Sequence, residues 1–353
     1  MTGAGQLLAR CRAGIGRFFA TAAMAAAAAS VQSGAAWAEQ VLPLSKATDV
    51  VEVQSSFDSL FGTDDRAPRT YSSPFGQQLA AVANASQGRI GVAAMDLTSG
   101  RMVDVLGNQR FPMASTSKIA IAATFLEGVD KGKWTLSSEF PLMVPVGSAP
   151  FSSAVAPVRP GEYMPASRLL ELMITRSNNY ATDALLKVVG GPKAVNAWIE
   201  RAGIDDWHID RDIATLVRDD GAIDPARVVD KRDSATPYAM VQLLAGIYQG
   251  KWLSPSSRAA LLGAMSRCVT GKRRIPAGLP EGVSVSHKTG SLNNTSSDVG
   301  IIQTQDGRVF AVAIYVTGQG GRPGRETRIA SIARTIYNGY LAESPPARLT
   351  AVR

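Results

Sequence analysis

Cysteine and histidine, the residues that most often carry redox and metal chemistry, are nearly missing from this chain. Its 353 residues include two cysteines, Cys11 and Cys268, and two histidines, His208 and His287. Cys11 falls in an N-terminal segment expected to be removed, so only Cys268 is left and no internal disulfide can form. No histidine lies near Cys268 in sequence, and it reads as a small buried hydrophobe. A His/Cys metal site has almost no ligands available; neither a metal nor an organic cofactor is expected. Glutamate is absent from a whole stretch, with none between Glu200 and Glu281. Internal repeats are also absent. Beyond residue 38 there is no apolar run of membrane-spanning length, so no stable membrane anchor is expected.

What remains is an ordinary globular composition, 45% hydrophobic and 19% charged, enough for one large or two small cored domains. Residues 1–38 stand apart. Arg10, Arg12 and Arg17 without an acid, the run "FFATAAMAAAAASV" and the small residues ending Ala36-Trp37-Ala38 have the three-part layout of a secretory signal peptide. Cleavage is expected after Ala38, giving an exported protein, periplasmic or secreted. Losing those three arginines takes the net charge from +8 to +5. That mild excess suits proximity to anionic envelope polymers, and no nucleic-acid partner is expected. Residues 39–73 mix acids, Ser and Pro and read as an N-terminal extension; residues 343–353 read as a C-terminal tail.

Between them the pattern changes twice. "PFGQQLAAVANAS" has helical spacing from Pro74, and "GRIGVAAMDL" and "RMVDVLG" are β-rich runs joined at Thr98-Ser99-Gly100, a hairpin signal. "IAIAATFLEGVDKGKW" predicts a helix, the Pro/Gly/Ser-rich "PVGSAPFSSAVAPVRPGEYMP" predicts mostly loop, and further helical segments fill the centre. After Gly278 come three short β runs and a closing helix. The chain therefore reads as an α/β part built from residues 74–117 and 275–342, with an all-α part, 118–274, inserted between them.

Three short motifs fall in order: Ser115-Thr116-Ser117-Lys118 at a helix start, Ser177-Asn178-Asn179 at a turn between helices, and Lys288-Thr289-Gly290 on a strand. Taken alone, the first is also what a helix cap looks like, because Ser and Thr oxygens accept hydrogen bonds from unpaired N–H groups of a first turn. Yet Ser115 and Lys118 are three residues apart, hence on one helix face with the amine in reach of the hydroxyl. A lysine becomes a base when a second cation lowers its pKa by repulsion, and burial adds to that. Lys288 can be that cation.

The motif set, with "RFPMAST", "KTGS" and "RDSATP" around it, resembles class A β-lactamases and penicillin-binding proteins over roughly residues 75–340. The resemblance implies a five-stranded antiparallel sheet flanked by the terminal helices, with a helical part inserted, and a monomer. It implies Ser115 as the acylated nucleophile and Lys118 as its base. Ser177 then relays a proton to the leaving nitrogen, and Asn179 orients substrate and Lys118. Lys288 and Thr289 meet a substrate carboxylate, Gly290 allows close backbone approach, and the N–H groups of Ser115 and Ser291 form the oxyanion hole. Arg274 stands at a position from which an arginine assists that carboxylate. Asn178 replaces the usual Asp, keeping an acceptor and losing a charge.

The pattern departs from the family at one step. Class A enzymes release the acyl group with a glutamate-activated water, and the loop before "RDSATP" offers only Asp212, Asp219, Asp220, Asp224 and Asp230. Counting back from Asp233 selects Asp220 as the deacylating base; matching the upstream "IDR" lands beside Asp212. Asp233 is expected to pin the loop by pairing with Arg211 or Arg218. Three activities stay open: hydrolysis of a β-lactam, a DD-peptidase or related amide or ester hydrolase acting on peptidoglycan stem peptides, and a penicillin-binding sensor that is acylated once.

Overall fold

The computed structural model describes residues 71–343; the expected signal peptide, most of the extension 39–73 and nearly all of the tail lie outside them. Ser73 caps α1 (Pro74–Val82) by accepting the Gly76 N–H at 3.0 Å, with Pro74 as the first helical residue. β1 (Ile90–Asp96) and β2 (Met102–Val105) form the predicted hairpin. The Asp96 carboxylate holds its turn by accepting the Thr98 N–H and the Ser99 hydroxyl, both at 2.9 Å. The short strand β3 (Phe111–Pro112) leads through a 3-10 turn, Ala114–Ser117, directly into α2 (Lys118–Asp130).

The next segment differs from the sequence reading. β4 (Glu139–Pro145) and β5 (Val158–Pro165), the latter within the predicted loop, pair as an antiparallel ribbon, with a register irregularity between Pro141 and Met143. Four prolines punctuate it, which masks the strand signal. An isolated two-stranded ribbon tolerates them because each strand has an outer edge that needs no N–H partner.

Helices α3 (Ala166–Thr175), α4 (Asn179–Val189) and α5 (Pro192–Arg201) follow, then β6 (Trp207–His208), the short α6 (Ile213–Arg218), β7 (Ser234–Ala235), α7 (Pro237–Tyr248) and α8 (Pro255–Ser266). A second 3-10 turn, Ile275–Gly278, precedes β8 (Ser284–Leu292), β9 (Thr295–Gln303) and β10 (Val309–Thr317), and α9 (Arg322–Glu343) closes the fold. Pro237 and Pro255 begin their helices behind the caps Thr236 and Ser254, as the cap-then-proline signals predict.

Strands from both chain ends make one five-stranded sheet of order β2-β1-β10-β9-β8, antiparallel throughout. Both its faces are covered. On β10, Phe310, Val312, Ile314 and Val316 point into a core shared with Phe75 and Leu79 of α1 and Ile329, Ile332 and Ile336 of α9. The alternate residues Ala311, Ala313 and Tyr315 pack into the larger core of the helical part, with Ile119, Phe125 and Met240. This two-sided burial explains why β10 reads as an unbroken apolar run where a half-exposed strand would alternate. β8 is left at the sheet edge, and α2, buried nearly all round, brings its N-terminus beside that edge. Among the described residues no helix is long and apolar enough to cross a membrane.

Candidate active site

Ser115 sits in the Ala114–Ser117 turn, and the structure separates the three hydroxyls of this segment. Thr116 donates to the Met113 carbonyl at 2.8 Å and Ser117 to the Ala114 carbonyl at 2.9 Å, so neither caps an N–H group. Ser115 is the half-buried one of the three, and its neighbour Ala114 is held at φ 49°. A non-glycine residue in the left-handed region costs about 1–3 kcal/mol and persists only where its surroundings impose it. The imposing contact here is β8. A Cβ built on Gly290 lies 2.6 Å from the Met113 carbonyl oxygen and 3.1 Å from Ala114 Cβ. Only glycine lets the edge strand come so near the turn that carries Ser115.

Lys118, fully buried at the start of α2, is where the geometry departs from simple spacing. Its Nζ donates to Asn179 Oδ1 at 2.7 Å, to the Ser177 carbonyl at 2.8 Å and to Ser177 Oγ at 3.2 Å. These three oxygens of the second motif surround the amine and anchor it on the helix that begins three residues after Ser115. Lys288 Nζ reaches the same Ser177 Oγ at 2.9 Å and also donates to the Thr289 carbonyl at 2.9 Å. Because both lysines donate to the Ser177 oxygen, its own proton is free to be given away. Ser177 too has a left-handed backbone, φ 57°, and Asn178 behind it caps α4 by accepting the Ala181 N–H at 2.8 Å. That bond needs only an acceptor, so an amide serves where the family carries a carboxylate.

Burial is the largest influence on both lysines. It drives Lys118 well below the usual lysine pKa, helped by the Lys288 charge and opposed by Asp183. Lys288 is pushed down to about 8 by burial and by Arg274, against the attraction of Cys268 and Asp298. The order of causes is the reverse of the sequence argument, in which the second cation leads.

The opposing carboxylate, Asp183, was not among the sequence candidates. It lies one turn beyond Asn179 on α4 and is buried; its two oxygens accept the Ile213 N–H at 2.7 Å and the Ala214 N–H at 2.9 Å. Burial raises its pKa to about 7, against those two hydrogen bonds. Its signal in sequence was its helical spacing of four residues from Asn179.

Arg274 differs in role from the expectation. Its side chain is 1% exposed, behind β8, and donates to the Gly290 and Ser297 carbonyls at 2.8 and 2.7 Å, to Ser291 Oγ at 2.7 Å and to Glu326 at 3.3 Å. With its donors committed, it reaches a ligand only through the Ser291 hydroxyl. Thr289 is held by a 2.7 Å hydrogen bond to Thr270.

The loop between β6 and β7 closes on Arg211, whose Nε lies 2.6 Å from Asp233; the same carboxylate accepts the Asp210 and Arg211 N–H groups. Arg218, the other expected partner, pairs instead with Asp219 at 2.7 Å. The Asp233 carbonyl accepts the Met113 N–H at 3.0 Å, tying the loop to the nucleophile turn. Within the loop Asp212 caps α6, Asp219 also accepts the Phe151 N–H, Asp224 accepts from Asn294 and Asp230 pairs with Arg232. Asp220, selected by spacing as the base, is exposed and accepts the Asn293 N–H at 3.0 and 2.9 Å. It lines a cavity of about 50 Å³ with Arg211, Asp219, Asp233 and Asn293, to which neither Ser115 nor either lysine contributes. The structure thus gives Asp220 to the junction of the loop with the β8–β9 turn and does not bring it to the lysine cluster. Loop length is the physical reason: counting from Asp233 assumes the family's spacing, while the Arg211–Asp233 closure sets the register from the other end.

Known proteins share the sequence pattern and the fold of this chain. A β-lactamase from Escherichia coli, CTX-M-25, is 30% identical over 268 residues, covering 75% of this chain and 88% of its own. A β-lactamase structure from Chitinophaga pinensis superposes with a TM-score of 0.67 at 28% identity, covering 76% of this chain and all of that one. A penicillin-binding protein, PBP-A, carrying a leucine-to-glutamate substitution and captured as an acyl-enzyme with penicillin G, superposes with a TM-score of 0.64 at 28% identity over 75% of this chain and 96% of its own. The description "beta-lactamase enzyme family" matches residues 74–340, and with its sheet, helical part and paired-lysine site the chain belongs to that family of class A β-lactamase-like and penicillin-binding-protein-like serine hydrolases.

Proposed function

We propose that this is an exported serine hydrolase that opens the amide of a β-lactam by acylating Ser115. The observation that carries the reading is the convergence of Lys118 and Lys288 on Ser177 Oγ beside that serine. A neutral Lys118 takes the Ser115 proton as Oγ attacks the carbonyl. The N–H groups of Ser115 and Ser291 stabilise the oxyanion. Ser177 gives its free proton to the departing nitrogen and regains one from Lys118. Lys288, with Thr289, meets the substrate carboxylate. The N-terminal leader supports a periplasmic or secreted location.

A second reading has an observation of its own. The aspartates of the Arg211–Asp233 loop are engaged in caps, ion pairs and loop contacts, and the loop holds no glutamate. This favours slow release of the acyl group, as in a penicillin-binding sensor or a DD-peptidase whose stem-peptide substrate supplies its own acceptor. One experiment separates the two. The full chain is mixed with a chromogenic cephalosporin and, separately, a fluorescent penicillin. Sustained colour supports the hydrolase; one stable label per molecule without sustained colour supports the second reading. Neither colour nor label contradicts acylation by a β-lactam altogether.

A further inference from the structure

The strand that carries Lys288 and Thr289 has a charged neighbour that the acylation steps leave unused. The loop 269–274, which follows α8, wraps Thr289: Thr270 Oγ1 is 2.7 Å from Thr289 Oγ1, and a Cβ built on Gly271 collides with Thr289 Cγ2. The Gly271 carbonyl accepts the Arg274 N–H at 2.8 Å, closing a turn in which Lys272 and Arg273 are the two exposed residues. The same loop is tied to the second motif, because the Val269 N–H donates to the Thr175 carbonyl at 3.0 Å. Arg176, also exposed, stands between Thr175 and Ser177, whose Oγ both buried lysines hold. Two hydrogen-bonded segments thus bring Arg176, Lys272 and Arg273 to the Thr289 end of the site. Among the described residues no carboxylate pairs with any of the three. The one acid of α3, α8 and this loop is Glu171, and Arg267 takes it at 2.7 Å. Like charges gathered without a counter-ion raise the local potential and draw in anions.

We propose that Arg176, Lys272 and Arg273 form an anion subsite beside Thr289, which selects β-lactams carrying a second negative group next to the ring carboxylate. This rests on the function proposed above, in which Lys288 and Thr289 take that carboxylate. In a cephalosporin the C3 substituent is on the carbon adjacent to the one bearing the carboxylate, so it leaves the ring at the Thr289 end of the site. An anionic substituent there meets the three cations, and a neutral one gains nothing from them. The two guanidinium groups offer planar donor forks and Lys272 a point charge. Because all three are exposed, water and salt screen the attraction. Its effect falls on the rate of capture and on the choice between substrates.

The test compares cefotaxime with ceftriaxone, which share one acyl side chain and differ at C3: a neutral acetoxymethyl group in the first, an acidic triazine in the second. Second-order acylation of the full chain is measured for both at about 20 mM and about 500 mM salt. The ceftriaxone-to-cefotaxime ratio is expected to fall about fivefold from low to high salt. Comparing ratios between proteins cancels the intrinsic reactivities of the two compounds. In Lys272→Gln/Arg273→Gln the low-salt ratio is expected to drop several-fold and lose most of its salt dependence, and Arg176→Gln to lower it about twofold. A charge-matched control, Lys131→Gln/Lys133→Gln, lies beyond the far end of α2, a helix of 13 residues and about 20 Å; it is expected to keep the native ratio. A native ratio in Lys272→Gln/Arg273→Gln, or an equal drop in the control, overturns the subsite. Failure of both cephalosporins to acylate the native chain counts against the proposed function instead. The subsite is then decided by equilibrium binding of the two compounds, where preference for ceftriaxone and its loss in Lys272→Gln/Arg273→Gln are expected and equal affinity overturns it.

Discussion

Lys118 and Lys288, from opposite parts of the fold, share one oxygen: their Nζ atoms lie 3.2 and 2.9 Å from Ser177 Oγ. Burial, with the repulsion of Lys288, lowers Lys118 well below the ordinary lysine value, and burial lowers Lys288 to about 8. Replacing Lys288 by Gln removes the repulsion and lets Lys118 keep its proton to higher pH. The acid limb of the acylation rate against pH is expected to move up by on the order of one unit, measured by stopped-flow labelling. An unmoved limb means burial alone sets the Lys118 pKa.

On the alkaline side the limit comes from Lys288. With a pKa of about 8, it loses its charge as pH rises through that value, and a carboxylate-bearing substrate loses its partner. KM is expected to rise above pH 8 for such a substrate. A neutral ester of the same β-lactam is expected to show no such rise.

Gly290 sets the distance between the edge strand and the nucleophile turn. A methyl group there meets the Met113 carbonyl oxygen at 2.6 Å, and backbone gives way only by moving strand or turn. Gly290→Ala is expected to lower the acylation rate by roughly a hundredfold, the scale for displacement of reacting groups by about 1 Å, with far-ultraviolet circular dichroism unchanged.

Asp183 makes stability depend on pH with a definite sign. Its pKa is raised from the ordinary 3.8 to about 7 in the folded chain, so the native state binds its proton more tightly than the unfolded state. The stability linked to that proton is complete below about pH 4 and is lost as pH rises through 7. Urea unfolding at pH 5 and pH 8 is expected to show a loss for the native chain that shrinks by on the order of 3 kcal/mol in Asp183→Asn. Equal pH dependence in both proteins contradicts the raised pKa.

The loop closure is a fourth target. Asp233 is buried and takes both a side-chain and two backbone donors. Asp233→Ala leaves Arg211 without that partner and is expected to cost about 3 kcal/mol, read as a lowered Tm.

The parts of this site that were legible in sequence are those whose geometry is local. Ser115 and Lys118 are one turn apart, Ser177 and Asn179 share a helix start, and Lys288 to Ser291 lie on one strand, so spacing alone places each set. The apolar run of β10 and the turn at Asp306-Gly307 before it were legible as strand and turn, whereas the joining of β8, β9 and β10 with β1 and β2 in one five-stranded sheet came with the family resemblance. What depends on contacts between distant segments was not legible. Asp183 matters only because α6 offers it two N–H groups. Asp220 looked right by count and was drawn away by Asn293. The β4–β5 ribbon hid behind its prolines, whose missing N–H groups cost little on strands with outer edges.

In the proposed mechanism Ser115 forms the covalent bond, and intact mass measured after mixing the full chain with penicillin G reports that bond. One added penicillin per chain is expected, mapped to the peptide carrying Ser115 and absent from Ser115→Ala. An adduct that persists in Ser115→Ala, or maps to any other residue, contradicts it.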